Sequence, residues 1–217
     1  MRYMVVALTR HKMKFIAAFL GILILTCGGM VARYAWLKGR PDMASIAPRG
    51  GAPSPRFTLD ETPILLQTDA RWKDNRLGGS GERFGATGCA ICCMSMAMNH
   101  YNIGIRPDSL NATLQAASGF THQGWIKWDA ITDITDGKIS VETDLPLTHA
   151  TIDSVLRRGV PILARVMIRG TINHWVLIIG KDGTEYLIKD PLGDGTKLDS
   201  LSSYNSNIYA IRIVRKI

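Results

Sequence analysis

Apolar and polar positions alternate along this chain in three distinct textures. From Phe15 to Ala32 (FIAAFLGILILTCGGMVA) the chain is apolar and carries no charge. From 39 to 57 (GRPDMASIAPRGGAPSPRF) there is no apolar periodicity, and Pro41, Pro48, Pro53 and Pro55 interrupt the stretch together with three glycines. Proline extends such a segment and removes backbone donors, so residues 33–57 read as a Pro/Gly-rich linker between the apolar run and a folded domain over 58–217. Inside that domain a helix is predicted from Cys89 to about Tyr101, entered through Gly85-Ala86-Thr87-Gly88 and ended near Asn102 and Gly104. A second starts at Pro107, a residue suited to a first helical position, and stops before Gly119. A third follows Trp125. The fourth spans about Ala150 to Arg158, with Gly159 at its C-terminal cap and Pro161 beyond. Thereafter Pro161–Ile168, His174–Gly180, Glu185–Asp190 and Ile208–Val214 are short runs of Val, Ile, Leu and Tyr that read as strands. Helices lead and strands follow, the order of an α+β domain.

Charge sharpens the division. The 217 residues carry a formal net charge of +8, but nine of the bases and a single acid, Asp42, fall in residues 1–57. The rest holds 26 − 9 bases and 18 − 1 acids, seventeen of each, and is neutral. Nucleic-acid binding, which needs phosphate-neutralising charge on a folded surface, loses its support. The basicity belongs to the apolar run: Arg10, Lys12 and Lys14 precede it within a basic tail, residues 1–14. A helix rising about 1.5 Å per residue needs roughly 20 residues to cross the hydrocarbon, so residues 15–32 just suffice as a transmembrane signal anchor. A cleaved signal peptide also fits, with the cut near Gly28 or Gly29. The anchor is favoured because the run outlasts a usual signal core and no A-x-A follows it. Cys27 is a poor lipidation site behind Leu25-Thr26. The basic flank places the C-terminal domain on the extracytoplasmic side, secreted outright if the signal is cleaved.

Three of the four cysteines, Cys89, Cys92 and Cys93, lie within five residues and cannot staple a fold by long-range bridges. Cys89 follows a glycine-rich turn and opens a helix, where unpaired N–H groups and the positive dipole end favour a thiolate and offer donors for an oxyanion; a buried cysteine in a helix's first turn is the competing reading. Cys92 and Cys93 read as buried core residues. A zinc site from these thiols and His100 lacks the spacing such sites use, and no metal or cofactor signature is present. His100, His122 and His149 have no partner legible from spacing, and Trp125 and Trp128 are assigned to the core. In HWVLIIGKDGTEYLIKDP (His174–Pro191), Lys181-Asp182-Gly183 suits a three-residue hairpin loop with Gly183 left-handed. That register sets His174 opposite Asp190 on one face. A carboxylate so placed fixes the tautomer of a general base. A structural ion pair is the competing reading.

These residues resemble the papain-like C39-type cysteine peptidases, particularly the broad bacterial peptidase C39-like group, over roughly residues 60 to 217. The motifs stand as LLQTDARW (Leu65–Trp72), TGCAICCMSMAM (Thr87–Met98), NHWVLIIG (Asn173–Gly180) and LIKDPLGDG (Leu187–Gly195). The resemblance implies a papain-like fold with the nucleophile on a helix N-terminus and a C-terminal antiparallel sheet. It matches Cys89, His174 and Asp190 to catalytic positions and Gln67 to the oxyanion-hole glutamine. It implies a peptide or protein substrate, cleaved through a Cys89 thioester. Nothing resembles an ATP-binding cassette. Two other readings stand beside hydrolysis: an acyltransferase using the same thioester, and a non-catalytic envelope interaction module that keeps the fold.

Overall fold

The computed structural model describes residues 44–59 and 62–217. The basic tail, the apolar run with Cys27, and the first part of the linker lie outside the described residues. Among those described, no helix is long and apolar enough to cross a membrane.

The helices form where the pattern places them, each for a local reason. After the short α1 (Phe84–Thr87), α2 runs Cys89–His100. Pro107 opens α3 (Pro107–Ala116), and α4 is Asp129–Ile134. At α5 (His149–Arg157) the Thr148 side chain caps by accepting from the Thr151 N–H at 3.1 Å; such a cap satisfies one of the orphan donors of the first turn.

The strands are β1 (Arg49–Thr58), β2 (Ile139–Glu142), β3 (Ile162–Ile168), β4 (Ile172–Lys189), β5 (Asp199–Ser200) and β6 (Ala210–Lys216). They make one antiparallel sheet in the order β1-β4-β3-β6-β2, with β5 also on β4. The domain is thus mixed α and β around a mostly antiparallel sheet. Helices do not simply precede strands, since β1 comes before them all and β2 falls between α4 and α5.

Both faces of the sheet are covered. Leu163, Leu177 and Ile179 point into a core with Trp72, Phe84, Ile91, Met94, Met96 and Leu110. The alternate positions Ala164, Val166, Val176 and Ile178 join Ile152, Val155 and Leu156 of α5. Double burial is why these strands read as continuous apolar runs rather than alternating ones.

β4 is not straight. Sixteen extended residues would separate His174 from Asp190 by about 50 Å, yet their side chains are hydrogen-bonded at 2.8 Å. The chain therefore folds back on itself within β4, where Gly183 takes φ +57°. Tyr186 and Ile188 of the second arm share a core with Val176 and Ile178 of the first.

The linker assignment for residues 49–57 is corrected. This stretch is the edge strand β1, and its pairing with β4 slips between Arg49 and Ser54 and between Ser54 and Phe57. Proline lacks the ladder donor and is tolerated at edges and bulges, which is where Pro53 and Pro55 sit. Buried polar contacts hold the strand. The Ala52 N–H donates to Asp153 Oδ2 at 2.9 Å, while Lys181 Nζ donates to the Ala52 carbonyl at 2.8 Å and to Asp153 Oδ1 at 2.5 Å. Gly51, at φ +71°, passes so close that a Cβ would overlap the Asp153 carboxylate. These partners lie about a hundred residues downstream, so no local pattern reveals them. The compact unit accordingly starts at Ala44 rather than Thr58.

Two smaller expectations also change. Trp125 is 68% exposed rather than core, whereas Trp128 packs edge-on against Trp175 at 5.7 Å. His149 has a partner after all, the Tyr186 hydroxyl at 3.0 Å.

Candidate active site

Cys89 is the first residue of α2, behind Gly88. A Cβ on Gly88 would overlap the Phe84 ring and carbonyl oxygen, so glycine is what lets the turn close tightly enough to start the helix there. Cys89 is 7% exposed, whereas Cys92 and Cys93 are fully enclosed. Burial pushes the pKa of both inner thiols well up, with the charge of Cys89 adding to it. Of the three, only Cys89 reaches solvent. The first backbone N–H groups of this turn have no partner within the helix.

His174 and Asp190 occupy the two arms of β4 and its exit. His174 Nε2 hydrogen-bonds Asp190 Oδ1 at 2.8 Å, and Cys89 lies near enough to the ring to raise its pKa. With Nε2 committed to the carboxylate, Nδ1 is the ring nitrogen left for the sulfur. Burial by itself works against a charged imidazole here, but the hydrogen bonds to Asp190 and Cys89 and the charges of both outweigh it, pushing the pKa up to about 9. The structure therefore joins His174 to Asp190 directly and sets Cys89 near enough to the ring to affect its titration.

Asp190 is held from several sides. Its Oδ1 also accepts the Leu192 N–H at 2.8 Å, and its Oδ2 accepts the hydroxyl of Tyr204. Burial favours the neutral acid, yet His174, Tyr204 and the Leu192 N–H together hold the carboxyl below the usual carboxylate range. Sequence reasoning missed Tyr204. It lies on a 3-10 turn, Leu201–Tyr204, fourteen residues from Asp190. No motif or periodicity singles it out.

Gln67 is 2% exposed and sits between the other parts. Its backbone N–H donates to the carbonyl of Pro191, next to Asp190, at 2.9 Å. Its side-chain Nε2 donates to Gly85 O at 2.8 Å, in the turn that leads to Cys89. The buried Oε1 has no hydrogen-bond partner. Gln67 thus ties the segment after the second β4 arm to the turn before α2.

A family model describing the peptidase C39-like family matches residues 60–210. This chain belongs to the peptidase C39-like family. No curated protein matches it. Membership in the C39-like family points to cysteine-peptidase chemistry and to peptides or proteins as the substrate class. The match spans every residue of the constellation just described. Among the described residues no three of His, Cys, Asp or Glu are grouped so as to hold a metal ion.

Proposed function

We propose that this protein is a cysteine peptidase or amidase whose nucleophile is Cys89. The observation that carries the reading is the His174 imidazole, bonded at 2.8 Å to the Asp190 carboxylate and near enough to Cys89 for that thiol to raise its pKa. Attack of the Cys89 sulfur on a substrate carbonyl forms a carbon–sulfur bond and places negative charge on the carbonyl oxygen. His174, protonated at its sulfur-facing nitrogen, gives that proton to the leaving amine as the carbon–nitrogen bond breaks, which leaves a thioester. The same imidazole then takes a proton from water. Hydroxide adds to the thioester carbonyl, the carbon–sulfur bond breaks, and the acid product leaves with Cys89 restored. Asp190 keeps the ring in the tautomer and orientation both steps require.

The oxyanion has two donors in this reading. One is the backbone N–H of Cys89 at the start of α2, reinforced by the positive end of the helix. The other is the second N–H of the Gln67 amide, the first being spent on Gly85 O. Loss of one such donor typically costs about 3 kcal/mol of barrier. The fold around these residues is read as papain-like on the same grounds, a cysteine at a helix start facing a histidine and an aspartate on an antiparallel sheet.

Alkylation by iodoacetamide near neutral pH tests the centre of this reading. Cys89 is expected to react fastest of the three domain cysteines, and His174→Ala to slow it at least tenfold. Equal labelling in the parent and in His174→Ala would remove the histidine from the mechanism. We also place the domain beyond a membrane, tethered by residues 15–32, on the strength of the uncharged run Phe15–Ala32 behind Arg10, Lys12 and Lys14. A membrane-impermeant maleimide applied to intact cells is expected to label Cys89; labelling only after lysis would contradict the orientation.

A further inference from the structure

Asp190 depends for its orientation on a side chain outside the constellation. A carboxylate has about four lone-pair sites and can swing about its terminal torsion unless both oxygens are engaged. Oδ1 takes the His174 ring and the Leu192 N–H. Oδ2 takes the Tyr204 hydroxyl. The Tyr204 ring also lies 5.5 Å from the His174 ring, tilted by 45°, so that it covers the imidazole while its hydroxyl reaches past to the carboxylate.

The segment that carries Tyr204 is itself fixed at both ends. Before it, β5 pairs with the second arm of β4, Ile188 with Asp199 and Leu187 with Ser200. After it, Asn205 turns left-handed at φ +48°, and the next residue's hydroxyl, Ser206 Oγ, accepts the Met167 N–H of β3 at 2.8 Å. Such a braced donor is what a site held in productive geometry requires. Burial and the neighbouring Asp190 raise the phenol pKa of Tyr204, so it stays a neutral donor wherever Asp190 is an anion.

We propose that Tyr204 is a positioning residue of this site: its hydroxyl, donated to Asp190 Oδ2, locks the carboxylate so that Oδ1 holds the His174 ring against Cys89. The proposal rests on the cysteine-hydrolase reading above and deepens it. The titratable groups facing the Asp190 carboxylate are His174, Tyr204, Cys93 and Asp199. The last is itself raised by burial and by the charges of Asp190 and Asp194.

The test uses the full chain and four variants, Tyr204→Phe, Asp190→Asn, their combination, and His174→Ala. The rate of Cys89 alkylation by iodoacetamide is measured at about pH 6 and about pH 9, with folding followed by circular dichroism. Tyr204→Phe keeps the ring and removes one oxygen. It is expected to lower the ratio of the rate at the lower pH to that at the higher pH about tenfold, the scale of one hydrogen bond to a charged group. Asp190→Asn should lower the ratio further, and the double variant should match Asp190→Asn, since the hydroxyl acts only through that carboxylate. A Tyr204→Phe ratio equal to the parent's, or losses that multiply in the double variant, would overturn the proposal. So would a Tyr204→Phe protein that no longer folds, because the residue would then serve stability rather than site geometry. If His174→Ala also leaves the ratio unchanged, the reading beneath fails as well; if His174→Ala lowers it and Tyr204→Phe does not, only the role of Tyr204 falls.

Discussion

His174 carries two signals that pull in opposite directions, and magnitude decides between them. Enclosure disfavours the charged ring, but Asp190 and Cys89 together prevail and leave the pKa at about 9. The ordinary histidine value is roughly 6.5. A group whose folded pKa is raised contributes stability that is complete below the unfolded value and is lost as pH rises through the folded one. Asp190 runs the other way: held below its ordinary value, it contributes above about pH 4 and loses that contribution as pH falls. The pair therefore stabilises most between about pH 4 and 6.5. Urea unfolding of the parent and of His174→Ala should differ most in that window, with the gap narrowing by up to about 3 kcal/mol by pH 10. A gap that stays constant with pH would mean that folding leaves the ring's pKa unshifted.

At the scale of elements, the start of α2 decides whether Cys89 is a core thiol or a usable one. One turn further along the same helix Cys92 and Cys93 are enclosed and their thiols are raised well above the ordinary range. What separates Cys89 from them is the close turn at Gly88, whose missing side chain lets Phe84 pack against the helix entry. Gly88→Ala must push Phe84 or the helix terminus aside. It is expected to cost about 1–3 kcal/mol in urea unfolding, as overpacking does, and to slow Cys89 alkylation. Normal stability together with normal alkylation would show that this turn has slack. The helix itself was legible because local signals start and stop it. Its Gly-rich entry, apolar Met and Cys residues and polar exit all fall within the segment, and the structure keeps Cys89 as first residue.

At the scale of the molecule, the N-terminal edge strand joins parts that are far apart in sequence. β1 meets the bend of β4, and the Asp153 carboxylate of α5 receives both the Ala52 N–H and the Lys181 ammonium. Breaking a buried ion pair by deleting one partner typically costs about 3–5 kcal/mol, because the other charge is left uncompensated. Asp153→Ala is expected to lose stability on that order. A chain shortened to 58–217, the boundary that composition suggested, should unfold at clearly lower urea than one beginning at Ala44, since it lacks the strand that caps Lys181. Identical urea midpoints would restore the linker reading for residues 49–57.

How much of this was legible follows from the range over which each feature is encoded. The four main helices, the apolar strand runs and the meeting of His174 with Asp190 depend on signals within about twenty residues, where propensity, turn chemistry and strand register act directly. The Pro/Gly texture of residues 49–57 misled because local composition does not report a bulged edge strand whose buried partners lie a hundred residues on. Trp125, His149 and Tyr204 were misplaced or missed for the same cause. The sequence alone determined which side chains have the chemistry for nucleophile, base and orienter, and most of the elements that present them. Only the tertiary structure decided that Cys89 comes near that pair, that Gln67 ties the Pro191 segment to the turn before Cys89, and that the Tyr204 hydroxyl reaches the carboxylate. Contacts between distant segments are chosen by packing over the whole sheet, and no local stretch of chain contains that information.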